Sequence, residues 1–347
     1  MNPDWNSFLQ SRAASFLPGG GETPDCALFD LSHLSLIRVE GEDSRTFMQG
    51  QFTNDARDIS PEHSQLSAHC SPKGRMLALF RIVERDGAFL LQLPAEVLPG
   101  VLKRLPFYVI RSKVKISDAS AGLARIGLAG DCAEGLIERA IGACPAETDE
   151  VIHRDGVTCI RLGGNTPRFE LLLPCDRAPA LWDRLAQSAR PAATEYWKLL
   201  AIRSGEPVVY PETAEDFIPQ MANMQRVNGL SFTKGCYTGQ EVVARIQYLG
   251  KLKRRMYRAR IEGVCPLPGE ELHSAISASG QGAGRIVEAA PTTGGCEVLA
   301  VCEVESHESG EVRLTHAEGP RLEFLELPYS LDASEENNRP KVPRYPY

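Results

Sequence analysis

Apolar positions along this chain change their period as it proceeds, and the changes divide it into parts. Residues 2–17 carry Trp5, Phe8, Leu9 and Phe16 at helical intervals, and Pro18-Gly19-Gly20-Gly21 ends that segment in a loop. Between 27 and 118, strand-like runs at 34–39, 76–83 and 88–93 are interleaved with helix-like runs at 44–51 and 95–105. The style repeats over 120–190, with strands at 122–128, 159–162 and 169–173 and helices at 131–141 and 178–188. The spacing then predicts a helix over 194–204 and another over 240–249, where Val242, Val243, Ile246 and Leu249 share a face and Gly250 stands at the end. After Lys251 the period falls to two, at 256–261, 284–287, 297–304 and 321–327, which is the pattern of a small barrel. Residues 332–347 are polar and proline-rich and read as an extended or disordered tail.

The fold class that follows is α+β. An N-terminal α+β unit covers 1–118 and is continued by 192–250, a second α+β unit covers 119–191, a C-terminal β-barrel covers 251–330, and a tail covers 331–347. A length of 347 residues supports such a division, since one core rarely grows that large. Junctions between domains suit ligand cavities.

Charge and cysteine content narrow the setting. The net charge of −7 opposes nonspecific attraction to nucleic acid or to an anionic membrane. No stretch of about 18 apolar residues offers a membrane span, and an N-terminus with Asp4 and no apolar core does not read as a signal peptide. Ten cysteines without a CxxC pair or zinc spacing read as scattered thiols of a reducing compartment, with no resident metal. A cytoplasmic monomer is the expectation.

One cysteine has a distinctive setting. In Lys234-Gly235-Cys236-Tyr237-Thr238-Gly239-Gln240-Glu241, Cys236 lies between two glycines just ahead of the 240–249 helix. The free N–H groups and positive dipole end of that helix, with the charge of Lys234, favour a thiolate. The glycines permit positive φ or a close backbone approach. Glu241, at the helix start, serves the dipole and the cap more readily than it serves as a base for Cys236.

This segment, extended through Ala244-Arg245, resembles the signature of the YgfZ family of folate-binding proteins, which support iron–sulfur cluster assembly. The resemblance continues through Ile202-Arg203-Ser204-Gly205-Glu206-Pro207, 217–225, 41–44, 47–55, Ser71-Pro72-Lys73-Gly74-Arg75 and Leu327-Pro328-Tyr329, and is poorest over 120–190. It implies a fold like that of the glycine cleavage aminomethyltransferase: two ferredoxin-like α+β layers and a small barrel around a central folate cavity. It further implies tetrahydrofolate as ligand, iron–sulfur client proteins or cluster carriers as partners, a connection to tRNA modification without direct nucleic-acid binding, and Cys236 as the functional thiol.

A folate site needs paired donors and acceptors for the pteridine, flat apolar faces for the rings and cations for the glutamate tail. Gln220, Asn223 and Gln225 offer the first, and Trp197, Tyr210, Phe217 and Tyr237 the second. Arg245 and the basic run of 251–260 offer the third, and the resemblance adds Lys234, Gln240 and Glu241 from the signature itself. In the aminomethyltransferase the lysine–glycine turn leads to an acidic pair that serves its chemistry. Here Arg75-Met76-Leu77-Ala78-Leu79-Phe80 follows, so folate is expected to be bound without ordinary aminomethyl transfer. The alternative, a one-carbon transferase, has only Asp55 and Glu206 as candidate bases in the matching segments. A thiol hydrolase would need a histidine there, and none is present. His33, His63 and His69 read as satisfied histidines, and Gly280-x-Gly282-x-Gly284 as a turn or bulge rather than a phosphate loop.

Overall fold

The computed structural model describes residues 2–21, 24–249, 252–277 and 282–331. The expected tail at 332–347 and Gly280 of the glycine run lie outside the described residues. In chain order the elements are α1 (Pro3–Arg12), β1 (Cys26–Asp30), β2 (Leu34–Glu40), α2 (Ser44–Gln51), β3 (Gln65–Cys70), β4 (Met76–Arg85), β5 (Ala88–Pro94), α3 (Leu98–Arg104), β6 (Lys115–Asp118), β7 (Leu123–Gly130), α4 (Ala133–Ile141), β8 (Val151–Arg154), β9 (Val157–Leu162), β10 (Arg168–Pro174), α5 (Ala178–Leu185), β11 (Arg190–Ala192), α6 (Thr194–Arg203) and α7 (Gln240–Leu249). The C-terminal part adds β12 (Arg254–Glu262), β13 (Glu271–His273), β14 (Gly284–Thr292), β15 (Gly295–Glu303), α8 (Val304–Ser309), β16 (Arg313–Leu314) and β17 (Glu323–Leu325).

Three sheets result. The first has the antiparallel order β3-β4-β5-β2-β6, the second the order β11-β1-β7-β10-β9-β8, and the third, a half-barrel, the order β16-β13-β14-β15-β12-β17. Helices α2 and α3 cover one face of the first sheet through Phe47, Met48 and Val101. The second sheet is covered by α1, α4 and α5 through Trp5, Ile137 and Trp182. The uncovered faces meet each other, with Leu36, Val83 and Leu90 of one packed against Phe29, Ile160 and Leu172 of the other. Strands buried on both faces lose the alternation that marks a half-exposed strand. That is why β3 escaped the sequence pattern: all six of its positions, including Gln65, Ser67 and His69, are buried.

Two expectations change in detail. The helix expected over 2–17 stops at Arg12, although Asn2 caps it through the N–H groups of Asp4 and Trp5. Phe16 then turns extended to stack on Trp182 and Leu17 bridges to Ala192, so tertiary packing overrides the helical spacing. Residues 26–30, which precede the expected second unit, pair with β7 and β11 and so belong to its sheet.

Helix α6 joins the layers. Its Trp197 and Leu200 enter the inter-sheet core, while Leu199 and Ile202 pack with Val287, Leu299 and Val301 of the half-barrel. The loop after it, 204–239, threads between the first sheet and the half-barrel, and a polar cavity opens where these parts meet.

Candidate functional site

The cavity has a volume of about 110 Å³ and takes side chains from all three sheets and from α6. Arg81 (β4) and Gln92 (β5) come from the first sheet, Arg168 and Glu170 (β10) from the second, and Glu288 (β14) from the half-barrel. Trp197 and Lys198 enter from α6, and Glu206 and Tyr210 from the loop after it. Arg168 and Glu170 stand two apart on one strand, so both point to the same face. Gly127 of β7 leaves the room Trp197 needs, since a Cβ there would lie 2.8 Å from the indole ring.

Glu206 is the centre of the charge network. One of its oxygens lies 3.3 Å from Arg81 and the other 3.2 Å from Arg168. Arg81 also binds Asp149 at 2.6 Å, and Arg168 lies against the face of Trp197 at 5.4 Å. Burial works against the charge of Glu206, but the two guanidinium groups outweigh it and hold the carboxyl below its ordinary value. Glu170 is raised by burial even though Arg81 and the amide of Gln92, which donates to both its oxygens at 2.9 Å, act the other way. His33, at the wall, is pushed down to about 3 by burial, with Lys198 and Arg125 adding to the effect, so its imidazole is neutral. Its Nδ1 and the Nε of Arg168 are buried without a partner among the described residues. The expectation of satisfied histidines therefore fails at His33, which is half-buried, and at His69, which is buried: each has one buried ring nitrogen without a partner among the described residues.

The cysteine loop lies elsewhere. Gly239 has φ +85° and Gly74 has φ +70°, and the two interlock: a Cβ on Gly239 would lie 2.4 Å from the Ser71 carbonyl and 2.9 Å from Gly74, while one on Gly74 would lie 2.9 Å from Val242. Only glycine meets both demands. Gly235 has open space instead. Lys234 is buried, and its ammonium donates to the carbonyls of Gln49, Phe52 and Asn54 at 2.5–2.9 Å, which ties the loop to the end of α2. Burial pushes it down to about 8. Its charge is therefore spent on the backbone rather than presented to solvent beside Cys236.

Cys236 itself is exposed, the one exposed thiol among the free cysteines. Burial raises the others, Cys70 and Cys302 to about 12 and Cys144 to about 11. Contrary to the reading of ten scattered thiols, four are paired as disulfides, Cys26 with Cys132 and Cys265 with Cys296, across separations of 106 and 31 residues that local spacing does not reveal. Iodoacetamide at neutral pH is expected to modify Cys236 first among the six free thiols, and peptide mapping that found Cys144 or Cys175 labelled faster would contradict this order.

Of the residues expected to hold folate, Trp197 and Tyr210 line the cavity and the rest do not. Gln220 donates to the Val243 carbonyl at 2.6 Å and Asn223 to that of Met256 at 2.8 Å, so both amides brace the loop. Gln225, like them, is buried away from the cavity. Tyr237 is buried with its ring 5.1 Å from the Lys234 ammonium, and the Gln240 N–H closes a turn onto its carbonyl. Glu241 and Arg245 form an exposed pair at 2.8 Å on one face of α7. The basic run is engaged within the half-barrel, Arg258 with Glu297 at 2.8 Å and Arg260 with the Thr293 carbonyl. Asp55 is turned onto Arg57, which with the Arg57 backbone N–H holds it down to about 2. The sequence reading missed Arg81, Gln92, Arg168, Glu170, Lys198 and Glu288. A signal existed for the first: an arginine in the middle of the apolar run Leu79-Phe80-Arg81-Ile82-Val83 asks for a buried partner.

This assembly of layers is the fold of a known enzyme class. The glycine cleavage system aminomethyltransferase T of Bartonella henselae superposes with a TM-score of 0.62 at 15% identity, covering 93% of this chain and 88% of that one. The profile described as the GCVT N-terminal domain matches residues 23–231. The "tRNA-modifying protein YgfZ" of Colwellia psychrerythraea is 35% identical over 70% of this chain and 74% of its own length. Its namesake from Yersinia enterocolitica is 30% identical over 92% and 97%. The chain belongs to the YgfZ family. Among the described residues no helix is long and apolar enough to cross a membrane.

Proposed function

We propose that the protein binds tetrahydrofolate in the central cavity and serves the assembly or maintenance of iron–sulfur clusters in the cytoplasm, as a monomer, with Cys236 as its functional thiol. The observation that carries the folate reading is the pair of buried, unpartnered nitrogens, Arg168 Nε and His33 Nδ1, in a cavity that also holds the Glu206 carboxylate and an indole face. A pteridine edge offers both donors and acceptors, and these groups answer both: Glu206 accepts and Arg168 donates. The cavity volume is below the roughly 300–1000 Å³ of sites that bury a whole drug-sized ligand, so it suits the ring system, with the tail outside. When bound, reduced folate supplies an acceptor for one-carbon units.

The thiol acts on a different face. Cys236 is exposed at the tip of a loop locked by Gly239, Gly74 and Lys234, which suits a thiol that meets a cluster or a client protein and not a ligand in the cavity. The relatives' name fits clients that modify tRNA, while the net charge of −7 argues against this chain holding the nucleic acid itself. Glu206, its carboxyl held below the ordinary range by two arginines, is a weak base, which weighs against the transferase alternative. The test is thermal: tetrahydrofolate at about 100 times its Kd stabilises the fold by about 2.7 kcal/mol. An unchanged melting temperature at millimolar ligand would overturn the folate reading.

A further inference from the structure

Glu288 lies in no motif, yet the fold delivers it into the same cavity from the half-barrel. The pairing of β14 with β15 slips between Ile286 and Glu288, and such bulges re-aim side chains. The Glu288 carboxyl is buried, with Oε2 accepting from the Tyr210 hydroxyl at 2.6 Å and Oε1 accepting from the Ala289 N–H at 3.0 Å. Lys198 donates to the same tyrosine oxygen at 3.1 Å, and its ammonium is 3.7 Å from Glu288. Three separate segments, α6, the loop before residue 211 and β14, thus build one polar chain on the cavity wall.

The direction of that chain decides what it can read. Donation runs from Lys198 to Tyr210 to Glu288 and stops on the carboxylate, so the group at its end is an acceptor. An ionised carboxylate has about four lone-pair sites. Two are used here by hydrogen bonds, from the Tyr210 hydroxyl and the Ala289 N–H, while the Lys198 ammonium stands off at 3.7 Å, so acceptor sites remain on the cavity side. A ligand N–H placed there supplies the missing donor, whereas a ligand lone pair meets repulsion.

Reduced and oxidised pterins differ in this respect. In the tetrahydro ring N5 and N8 are amines bearing N–H, and in the fully oxidised ring the same atoms are aromatic nitrogens with outward lone pairs. We propose that Glu288, positioned by Tyr210 and Lys198, is the specificity-determining residue by which the cavity selects tetrahydropterins over oxidised pterins. The inference rests on the folate reading and adds to it a named discriminator. Sites built to hydrogen-bond a ligand N–H reject analogues that lack it, because a buried acceptor is then left unpaired.

Anaerobic fluorescence titration of the full chain with tetrahydrofolate and with folic acid tests it. The wild-type protein is expected to prefer tetrahydrofolate, and Glu288→Gln to shrink the ratio of the two Kd values about tenfold, since its amide presents a donor as readily as an acceptor. Glu288→Asp keeps the charge but withdraws it by one methylene, and is expected to shrink the ratio too; it decides the matter if the glutamine variant does not fold. A ratio unchanged in the folded variants, or a wild-type protein that binds both ligands equally, would overturn the inference and leave the folate site standing. Failure of both ligands to saturate the wild-type protein would overturn the folate reading and the inference together.

Discussion

Glu206→Ala is expected to cost about 3 kcal/mol of stability at pH 7, measured by urea unfolding, the lower end of the range for removing one partner of a buried ion pair. The loss falls mainly on Arg168. Arg81 retains Asp149 at 2.6 Å, but Arg168, 1% exposed, would keep no hydrogen-bonded carboxylate, only the Gly163 carbonyl, the indole face and the charge of Glu170. The pH dependence has a definite sign. The folded-state value of Glu206 lies below its ordinary 4.5, so its contribution is present above that value and is lost as pH falls through the folded one. Glu170 and Glu288, both raised by burial, work in the opposite sense, their contribution fading as pH rises through their folded values. The difference between wild type and Glu206→Ala should therefore shrink on acidification. A difference that stayed constant, or grew, would mean that Glu206 is not held ionised by the two arginines.

Cys236→Ala is expected to separate stability from function. Exposed substitutions away from packed or strained features usually stay within about 0.5 kcal/mol, and Cys236 is exposed beside a glycine with open space around it. The rigidity of the loop comes from Gly239, Gly74 and the buried Lys234, none of which the substitution touches. Melting temperature and tetrahydrofolate affinity should stay at wild-type levels, while cells relying on the variant lose activity in iron–sulfur enzymes as severely as cells lacking the protein. A variant that melts many degrees lower would show a structural cysteine. Full client activity in the variant strain would remove the functional role of the thiol.

Much of the architecture was legible because long amphipathic segments announce themselves: α2, α4, α5, α6 and α7 stand close to where the spacing put them. Strand β3 escaped for a physical reason, since it is buried on both faces and carries polar residues inward. The cavity was less legible than the loop. The signature around Cys236 is contiguous, whereas Arg81, Arg168, Glu206 and Glu288 converge only through the pairing of sheets. Amides and cations near the signature looked like ligand groups, but Gln220, Asn223 and Lys234 brace the backbone, and Arg245 pairs with Glu241 on the surface. Charged residues inside apolar strands were the better pointer, because a buried arginine demands a partner and partners gather at a cavity.

The most direct test of the central claim is a calorimetric titration with tetrahydrofolate of the wild-type protein, Glu206→Gln and Arg245→Ala, each below its melting transition. Saturable binding by the wild type, at least tenfold weaker binding by Glu206→Gln and unchanged binding by Arg245→Ala is the expected result. Absence of saturable binding to the wild type, or weakened binding by Arg245→Ala with Glu206→Gln unaffected, would contradict a folate site in the central cavity.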